Sequence, residues 1–298
     1  MLRAPIRLSL VLVLGTLLPA SSAAGGEQPT AARPAQHATL KAAAAMTPPD
    51  IPLHEYDWDA EQLLLELANQ SRAQAGAAAL KLDSGLSQAA RVHASAMFEA
   101  RQISHRFEGE PSLAQRLAAM TSLQLDQDAE NVAFDFDVTQ GHQHLMLSPP
   151  HRANLLNPAY NVVGLGVVRN GDRLYIVEDF GHALPRYSVA EVKNRVAMAV
   201  NRLRRQGNTR GLHRRDLSIA DDAACSMARA DKLATSAVQH LAQRLTVLTF
   251  TSLNPDALPG GAERAINGPN LRSFSVGGCY GRTETYPTGA YWVVLSLD

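Results

Sequence analysis

The 298-residue chain lacks several features that would point to a partner or a cofactor. It carries 28 basic and 28 acidic residues, so net charge gives no reason to expect nucleic acid or an anionic membrane surface as a partner. It has only two cysteines, and they are far apart in the sequence. Cysteine metal sites usually have pairs of cysteines a few residues apart, so these two do not resemble one. No His-x-x-x-His pair on a helix indicates a metal either.

Long hydrophobic runs are also missing, although the chain opens on a short one. Residues 8–18 form an apolar run that follows Arg3 and Arg7 and ends at Pro19. Such a run has the length of a signal-peptide core and is too short to cross a bilayer. We therefore predict a cleaved signal peptide at 1–24, a secreted or periplasmic location and no stable membrane span after cleavage. An uncleaved anchor is the alternative.

The rest of the composition is that of a folded protein, with 46% hydrophobic and 19% charged residues. Residues 25–55 are rich in alanine and proline and show no apolar period, which predicts a disordered linker. The remaining length is enough for two ordinary domains, and we place them at 56–184 and 188–298.

The first domain opens with helical patterns, in which apolar residues recur every three or four positions. Asp57 or Asp59 can cap a helix that runs through Arg72. Asp83 can cap a second helix with one apolar face, formed by Leu86, Ala89, Ala90, His93, Ala94 and Met97. Shorter helices are predicted at 113–120 and 139–147.

A hairpin closes the first domain. Apolar runs at 162–168 and 174–180 are joined by Asn170-Gly171-Asp172, and Asn-Gly accepts the positive φ angles of a tight turn. Helices followed by a hairpin favour a mixed α/β layered fold.

The second domain repeats this order. Ser188 with Glu191 forms a capping-box pattern, and Ser218 with Asp221 indicates a second capped helix. Strands are predicted at 247–253, 274–279 and 290–297.

The two domains can also be aligned residue by residue, which predicts a tandem repeat. Asn69 and Arg72 then correspond to Asn201 and Arg204, and chance similarity between alanine-rich helices is the alternative. In this alignment Cys225 lies on the second helix and Cys279 on the hairpin. Because those elements would pack together, we predict a disulfide, with two buried thiols as the alternative.

Four motifs in the first domain occur in the order of a known family. They are Asn69-x-x-Arg72 with the Ala89-Ala90-x-x-His93-Ala94 helix, Ser104-His105, Ala129-Glu130-Asn131-Val132-Ala133, and Ser148-Pro149-Pro150-His151-Arg152-Ala153-Asn154-Leu155-Leu156. Residues 60–182 thus resemble the short bacterial form of the CAP superfamily (cysteine-rich secretory, antigen 5, pathogenesis-related), also called the SCP domain. The second domain resembles a degenerate CAP copy.

The resemblance implies an α-β-α sandwich with a central antiparallel sheet, in two tandem copies. It also implies a cleft, and we assign to it His105, Glu130, Asn131, Ser148, His151 and Arg152. His105, Glu130 and His151 are residue types that can hold Zn²⁺ or another divalent metal, although a hydrogen-bonded polar cluster is the alternative. Arg152 is expected to bridge backbone carbonyls or to pair with an acid such as Glu130 or Asp135, with ligand contact as the alternative. His93 is expected to be a buried core histidine.

Three functions follow from these residues. The first is the binding of an unknown extracellular ligand or protein in the cleft, with or without a divalent metal. The second is a hydrolase that acts on peptide or cell-wall material, with Glu130 as a catalytic general base. The third, implied by the resemblance alone, is a lipid-binding module. The second domain lacks counterparts of His105 and of Glu130-Asn131, so we expect a structural or partner-binding role for it.

Overall fold

The computed structural model describes residues 8–9 and 56–298. The predicted signal peptide and linker lie outside the described residues, except for Leu8–Ser9. The helices are α1 Trp58–Gln74, α2 Ser84–Ala100, α3 Leu113–Met120, α4 Val138–Leu147, α5 Pro149–Leu155, α6 Val189–Gln206, α7 Ser218–Ala230, α8 Gln239–Ala242 and α9 Ala262–Ile266. The strands are β1 Leu8–Ser9, β2 Lys81–Leu82, β3 Gln124–Asp135, β4 Val162–Asn170, β5 Arg173–Leu184, β6 His213–Arg215, β7 Thr246–Ser252, β8 Ser273–Gly281 and β9 Ala290–Leu297.

The strands form two mixed sheets. The first has the order β2-β4-β5-β3, and the second has the order β1-β7-β9-β8-β6. In each sheet a short strand runs parallel to the first strand of the hairpin, and the other pairs are antiparallel. Apart from β1, the second sheet therefore has the strand order and directions of the first. The predicted antiparallel pairing of the central strands is confirmed, and β2 and β6 each add one short parallel strand at a sheet edge.

Helices cover both faces of the first sheet and make it an α-β-α sandwich. One face packs against α1 and α4, through Leu64, Ala68 and Val138. The other face packs against α2 and α3, through Met97 and Leu117. In the second half, α6 packs on one face of the sheet and α7 on the other. Each half thus has its own core, which is typical of separate domains.

Glycines on the hairpins let α2 and α7 approach the sheets closely. A Cβ atom at Gly164 would lie 2.1 Å from the carbonyl carbon of Leu86, and one at Gly166 would lie 2.4 Å from that of Ala90. Gly277 has the same relation to Ala220 in the second half, at 2.2 Å. Any larger residue at these positions would force the helix away from its sheet.

The buried Arg72 ties the end of α1 to the chain segment that leads into β4. Its guanidinium donates to four carbonyl oxygens, at distances of 2.7–2.9 Å, which belong to Ala78, Leu155, Asn157 and Tyr160. All four acceptors are backbone atoms, so these bonds to the loop before β4 do not depend on the side chains of that loop.

The caps at Asp57 and Asp83 and the capping box of Ser188 with Glu191 are confirmed. The predicted end of α4 before Ser148 is confirmed, and a further helix, α5, begins at Pro149, where a missing N–H costs nothing. One expectation was wrong: Ser218 does not cap α7, since Leu217 holds that position. Asp221 pairs instead with Lys193, at 2.8 Å.

Cys225 and Cys279 form the predicted disulfide and join α7 to β8, with their Cα atoms 5.0 Å apart. The two halves also touch each other. The Thr288 hydroxyl bonds both the N–H and the C=O of Leu125, and Arg282 donates to the carbonyls of Ala118 and Thr121. Among the described residues, none of the helices is both long and apolar enough to cross a membrane.

Candidate functional site

The candidate site begins at His105, in the loop between α2 and α3. Its side chain is 58% exposed, and its Nδ1 lies 2.9 Å from Oε1 of Glu130 on β3. That hydrogen bond raises the pKa of His105 above its ordinary value, against a smaller opposing effect of burial. The imidazole therefore keeps its proton to higher pH, and its Nε2 edge is not involved in the bond with Glu130.

Arg116 on α3 is the second partner of Glu130. It is buried and donates from Nη2 to Oε2 of Glu130, while its Nη1 donates to the carbonyl oxygen of His105 at 3.2 Å. Its buried Nε has no hydrogen-bond partner among the described residues. The expected contacts of Arg152 with backbone carbonyls or with Glu130 or Asp135 were wrong, since its side chain is exposed and forms no hydrogen bond or ion pair within the described region. Sequence motifs did not indicate Arg116, because it lies in a helix between them.

His93 holds the loop that carries His105. It is fully buried, with Nε2 2.7 Å from the carbonyl oxygen of Ser104 and Nδ1 2.7 Å from Oε1 of Glu110. A carbonyl oxygen can only accept, so Nε2 carries a proton. The prediction of a hydrogen-bonded core histidine agrees with these contacts.

A second acid lies beneath Glu130. Asp179 is its direct cross-strand partner on β5 and is fully buried. Burial raises the pKa of Asp179 well above its ordinary value, and the negative charge of Glu130 raises it further. Burial and the neighbouring carboxylate therefore favour the protonated form of Asp179, while Glu130 has the cationic partners Arg116 and His105.

The next cross-strand pair, Asn131 and Glu178, faces the opposite side of the sheet. Asn131 Nδ2 donates to Oε2 of Glu178 at 2.9 Å and to the carbonyl oxygen of His151 at 3.1 Å. Its Oδ1 accepts from Nδ2 of Asn154 at 3.0 Å. Asn131 thus connects β3 to α5 and positions the backbone of His151.

His151 lies beside His105, with the two ring centroids 6.5 Å apart. Burial, and then the charge of His105, lower the pKa of His151. One imidazole therefore favours the charged form and the other the neutral form. Ser148, by contrast, caps α5 without a side-chain hydrogen bond and is only partly exposed.

His105 is hydrogen-bonded to Glu130, and its ring lies beside the ring of His151 without a hydrogen bond between them. The described residues contain no group of three or more His, Cys, Asp and Glu side chains arranged to hold a metal ion. Both carboxylate oxygens of Glu130 already have partners, His105 and Arg116. The arrangement can nevertheless present a proton donor and a neutral acceptor side by side, which suits hydrogen bonding to a polar ligand.

A model of the CAP, or cysteine-rich secretory protein, family matches residues 65–180. This segment contains His105, Arg116, Glu130 and His151. Residues 65–180 form a CAP domain. No curated protein matches the sequence.

The chain is also similar to solved structures. An extracellular SCP-domain protein of Bacillus anthracis is 25% identical, over 42% of this chain and 40% of that one, with a TM-score of 0.37. An outer surface protein of Borrelia burgdorferi is 19% identical, over 43% of this chain and 95% of that one, with a TM-score of 0.40. Na-ASP-1 is 8% identical, over 80% of this chain and 89% of its own, with a TM-score of 0.44.

The second half does not repeat the polar pairs of the CAP domain. When Gly277 is matched to Gly164 and the strand registers are followed, Thr249 and Val294 replace Glu130 and Asp179. Phe250 and Val293 likewise replace Asn131 and Glu178. The ionisable groups of this site therefore belong to the CAP domain alone.

Proposed function

We propose that the protein acts outside the cytoplasm and binds a hydrogen-bonding, anionic ligand at His105 and His151 of its CAP domain. One observation carries the proposal: the bond to Glu130 favours the charged form of His105 while the outer edge of its ring remains exposed. A carboxylate of a peptide or of a cell-wall fragment fits this edge, because a charged donor binds such a group most strongly. Secretion or a periplasmic location follows from the predicted signal peptide.

The test is ligand-detected NMR with N-acetylated dipeptides as probes. We expect binding to the unaltered protein that weakens as the pH rises past the pKa of His105. The variant His105→Ala with His151→Ala should lose at least about tenfold in affinity, since charge-assisted hydrogen bonds would be removed. His144→Ala is the matched control, because His144 is also an exposed histidine paired with an acid, Asp135. Equal binding by all three proteins would contradict the proposal.

The same samples separate binding from catalysis. In the hydrolase alternative, Glu130 acts as a general base and the dipeptide signals disappear with time. In the metal-assisted form, His105 and His151 would supply two nitrogen ligands to a divalent ion, and Glu130 would have to leave Arg116 to become the third. Calorimetry with Zn²⁺ tests this form. Stoichiometric binding that is lost in the double histidine variant would support it, and the absence of heat would exclude it.

A cavity favours lipid binding as a second candidate function. About 420 Å³ of space lies between α2 and α3, lined mostly by apolar side chains such as Val92, Ala96 and Phe107, with the acids Glu99 and Glu110 also in the lining. Arg116 also reaches this cavity, and its buried Nε has no partner in the described part of the chain. A medium-chain fatty acid would fill the cavity with its chain and place its carboxylate near that Nε.

Decanoate binding measured by calorimetry tests this second function. The variant Ala96→Phe fills the cavity and should abolish decanoate binding while leaving dipeptide binding unchanged. If Ala96→Phe binds decanoate as well as the unaltered protein does, the cavity is not the site. If no protein binds decanoate, the lipid function is excluded.

We further propose that residues 188–298 are a degenerate second CAP copy that arose by tandem duplication. The shared strand order, the matching glycines and the paired arginines at 72 and 204 support this proposal. Domain boundaries at 56–184 and 188–298 follow from it. Expression of each segment alone, with circular dichroism and thermal melting, tests whether each one folds.

A further inference from the structure

Three arginines surround a cavity in the second half, at the end of α6. Arg204, Arg210 and Arg272 line a space of about 540 Å³, together with Thr209, Asn270 and two apolar residues. No acidic residue lines it. The second half therefore has a concentrated positive charge at a concave place, although the whole chain has no net charge.

The deepest of the three is Arg204, which is 1% exposed. Its Nε donates to the carbonyl oxygen of Arg210 at 2.5 Å, and its Nη1 donates to those of Ile266 and Gly268 at 2.6 and 3.1 Å. Its Nη2 forms no hydrogen bond among the described residues and keeps some solvent contact, so it can donate to an acceptor in the cavity.

The first half shows how the same place is built without a ligand. There Arg72 makes the equivalent bonds, and its Nη2 is satisfied by the carbonyl oxygen of Tyr160 at 2.9 Å. Arg210 corresponds to Ala78, because each supplies the carbonyl that accepts from Nε. Arg272 corresponds to Asn161, because each accepts from the first residue of the short parallel strand. Compared with the first half, the second half thus lacks the hydrogen bond from Nη2 of the buried arginine. It has instead two additional guanidinium groups at this place, those of Arg210 and Arg272.

The nearby charges do not neutralise these groups. Neither Arg210 nor Arg272 forms an ion pair within the described residues. The side chain of Asp298 bonds the Ser273 hydroxyl at 3.0 Å and lies 3.9 Å from Arg215. Without a ligand, the three arginines repel one another, and a bound anion would relieve that repulsion.

We propose that this cavity binds a phosphate-type dianion, either free or as a phosphomonoester. Guanidinium groups bind phosphate oxygens through parallel hydrogen bonds, and a doubly charged ligand offsets more of the positive charge than a carboxylate does. The volume lies within the range of small-molecule sites, so there is room for a small organic group beside the phosphate. This site is independent of the one proposed in the CAP domain.

Calorimetry on the full chain tests the proposal, with orthophosphate, pyrophosphate and glycerol 3-phosphate as probes. The informative variants restore the first-half residues, Arg210→Ala and Arg272→Asn. Because the fold already accepts these residues at the equivalent places, both variants should fold. We expect each to weaken binding by about tenfold, since each removes a charge-assisted contact. Tighter binding of glycerol 3-phosphate than of orthophosphate would identify the ester as the preferred form.

The control is the double variant Arg229→Ala with Arg244→Ala, which removes two exposed arginines outside the cavity. It should bind within about twofold of the unaltered protein, since these arginines do not line the cavity and exposed charges are screened in 0.15 M salt. Equal weakening in this control would show a non-specific charge effect and overturn the proposal. So would the absence of binding of all three probes at 10 mM, a concentration about tenfold above a millimolar dissociation constant.

Discussion

At the scale of single residues, the site is a set of ionisable groups whose pKa values depend on their burial and on their neighbours. Glu130 and Asp179 are cross-strand partners, yet only Glu130 reaches Arg116 and His105. Two neighbouring carboxyl groups do not both ionise easily, and burial together with the charge of Glu130 raises the pKa of Asp179. The same strands place Glu178 on the other face, where it has one amide partner, Asn131.

Glu178 gives a prediction of pH-dependent stability. Burial raises the pKa of Glu178 from 4.5 to about 7, against the opposing hydrogen bond from Asn131. In the unfolded chain the carboxyl ionises near 4.5, so folding is penalised increasingly as the pH rises from 4.5 to about 7. A tenfold change in an ionisation constant is about 1.4 kcal/mol, which makes the full penalty at most roughly 3 kcal/mol.

The variant Glu178→Gln should remove this penalty and keep the acceptor for Asn131. Urea unfolding at pH 8 should show stabilisation by up to roughly 3 kcal/mol, and at pH 4.5 little change. Glu99→Gln, on an exposed position of α2, is the control and should have no such pH dependence. An effect of Glu178→Gln that is the same at both pH values would show that the carboxyl is not buried in this way.

At the scale of elements, the site depends on how closely α2 lies against the hairpin. Gly166 allows this approach, because an added methyl group would meet the backbone of Ala90 at 2.4 Å. We predict that Gly166→Ala destabilises the protein by about 1–3 kcal/mol, the usual cost of overpacking, or more if α2 cannot shift. Since α2 carries His93, the variant should also disturb the His105 loop.

Thermal and urea unfolding measure this effect. Gly260→Ala is the matched control, because a Cβ atom there has nothing within 4 Å and its φ angle is not positive. If Gly166→Ala is no more destabilising than Gly260→Ala, the close packing of α2 on β4 is not as described.

Much of this architecture could be predicted from the sequence. Caps at Asp57 and Asp83 mark where helices begin, and the Gly171 turn marks the hairpin, because these are local signals. The strand β3 was not predicted. Its twelve residues, Gln124–Asp135, include many polar side chains whose burial is decided by distant partners.

The candidate site was predictable only in part, for the same reason. His105 and Glu130 could be named from motifs, and they do meet. Arg116 and Asp179 could not be named, since nothing local distinguishes them from an exposed arginine on a helix and an aspartate at the end of an apolar run. Only the sheet register and the packing of α3 bring them to Glu130.

At the scale of the whole molecule, the two halves share a strand order but differ in their functional groups. The acids of the site belong to the CAP domain, and the disulfide belongs to the second half. The halves touch through Thr288 and Arg282, which bond backbone groups of the first half. Their folding should therefore be coupled, although each half has its own core.

Removing the disulfide tests that coupling. We expect Cys225→Ser with Cys279→Ser to lower the free energy of unfolding of the second half by about 2–4 kcal/mol. The two tryptophans report on the halves separately, since Trp58 lies in the first and Trp292 in the second. In the Trp58→Phe background, the Trp292 signal should unfold at a lower urea concentration when the cysteines are replaced.

In the complementary Trp292→Phe background, the Trp58 signal should shift in the same direction but less. Reduction of the intact protein with dithiothreitol should reproduce both shifts. A Trp58 transition that does not move at all would show that the halves unfold independently.

The central claim is that folding joins His105 and Glu130 in one ion pair at the surface of the CAP domain. The most direct measurement is an NMR titration of the histidine ring signals in the unaltered protein and in Glu130→Gln. We predict that His105 titrates above 6.5, its ordinary value, and that Glu130→Gln lowers its pKa while leaving His144 unchanged. A His105 pKa that is ordinary in both proteins would contradict the account.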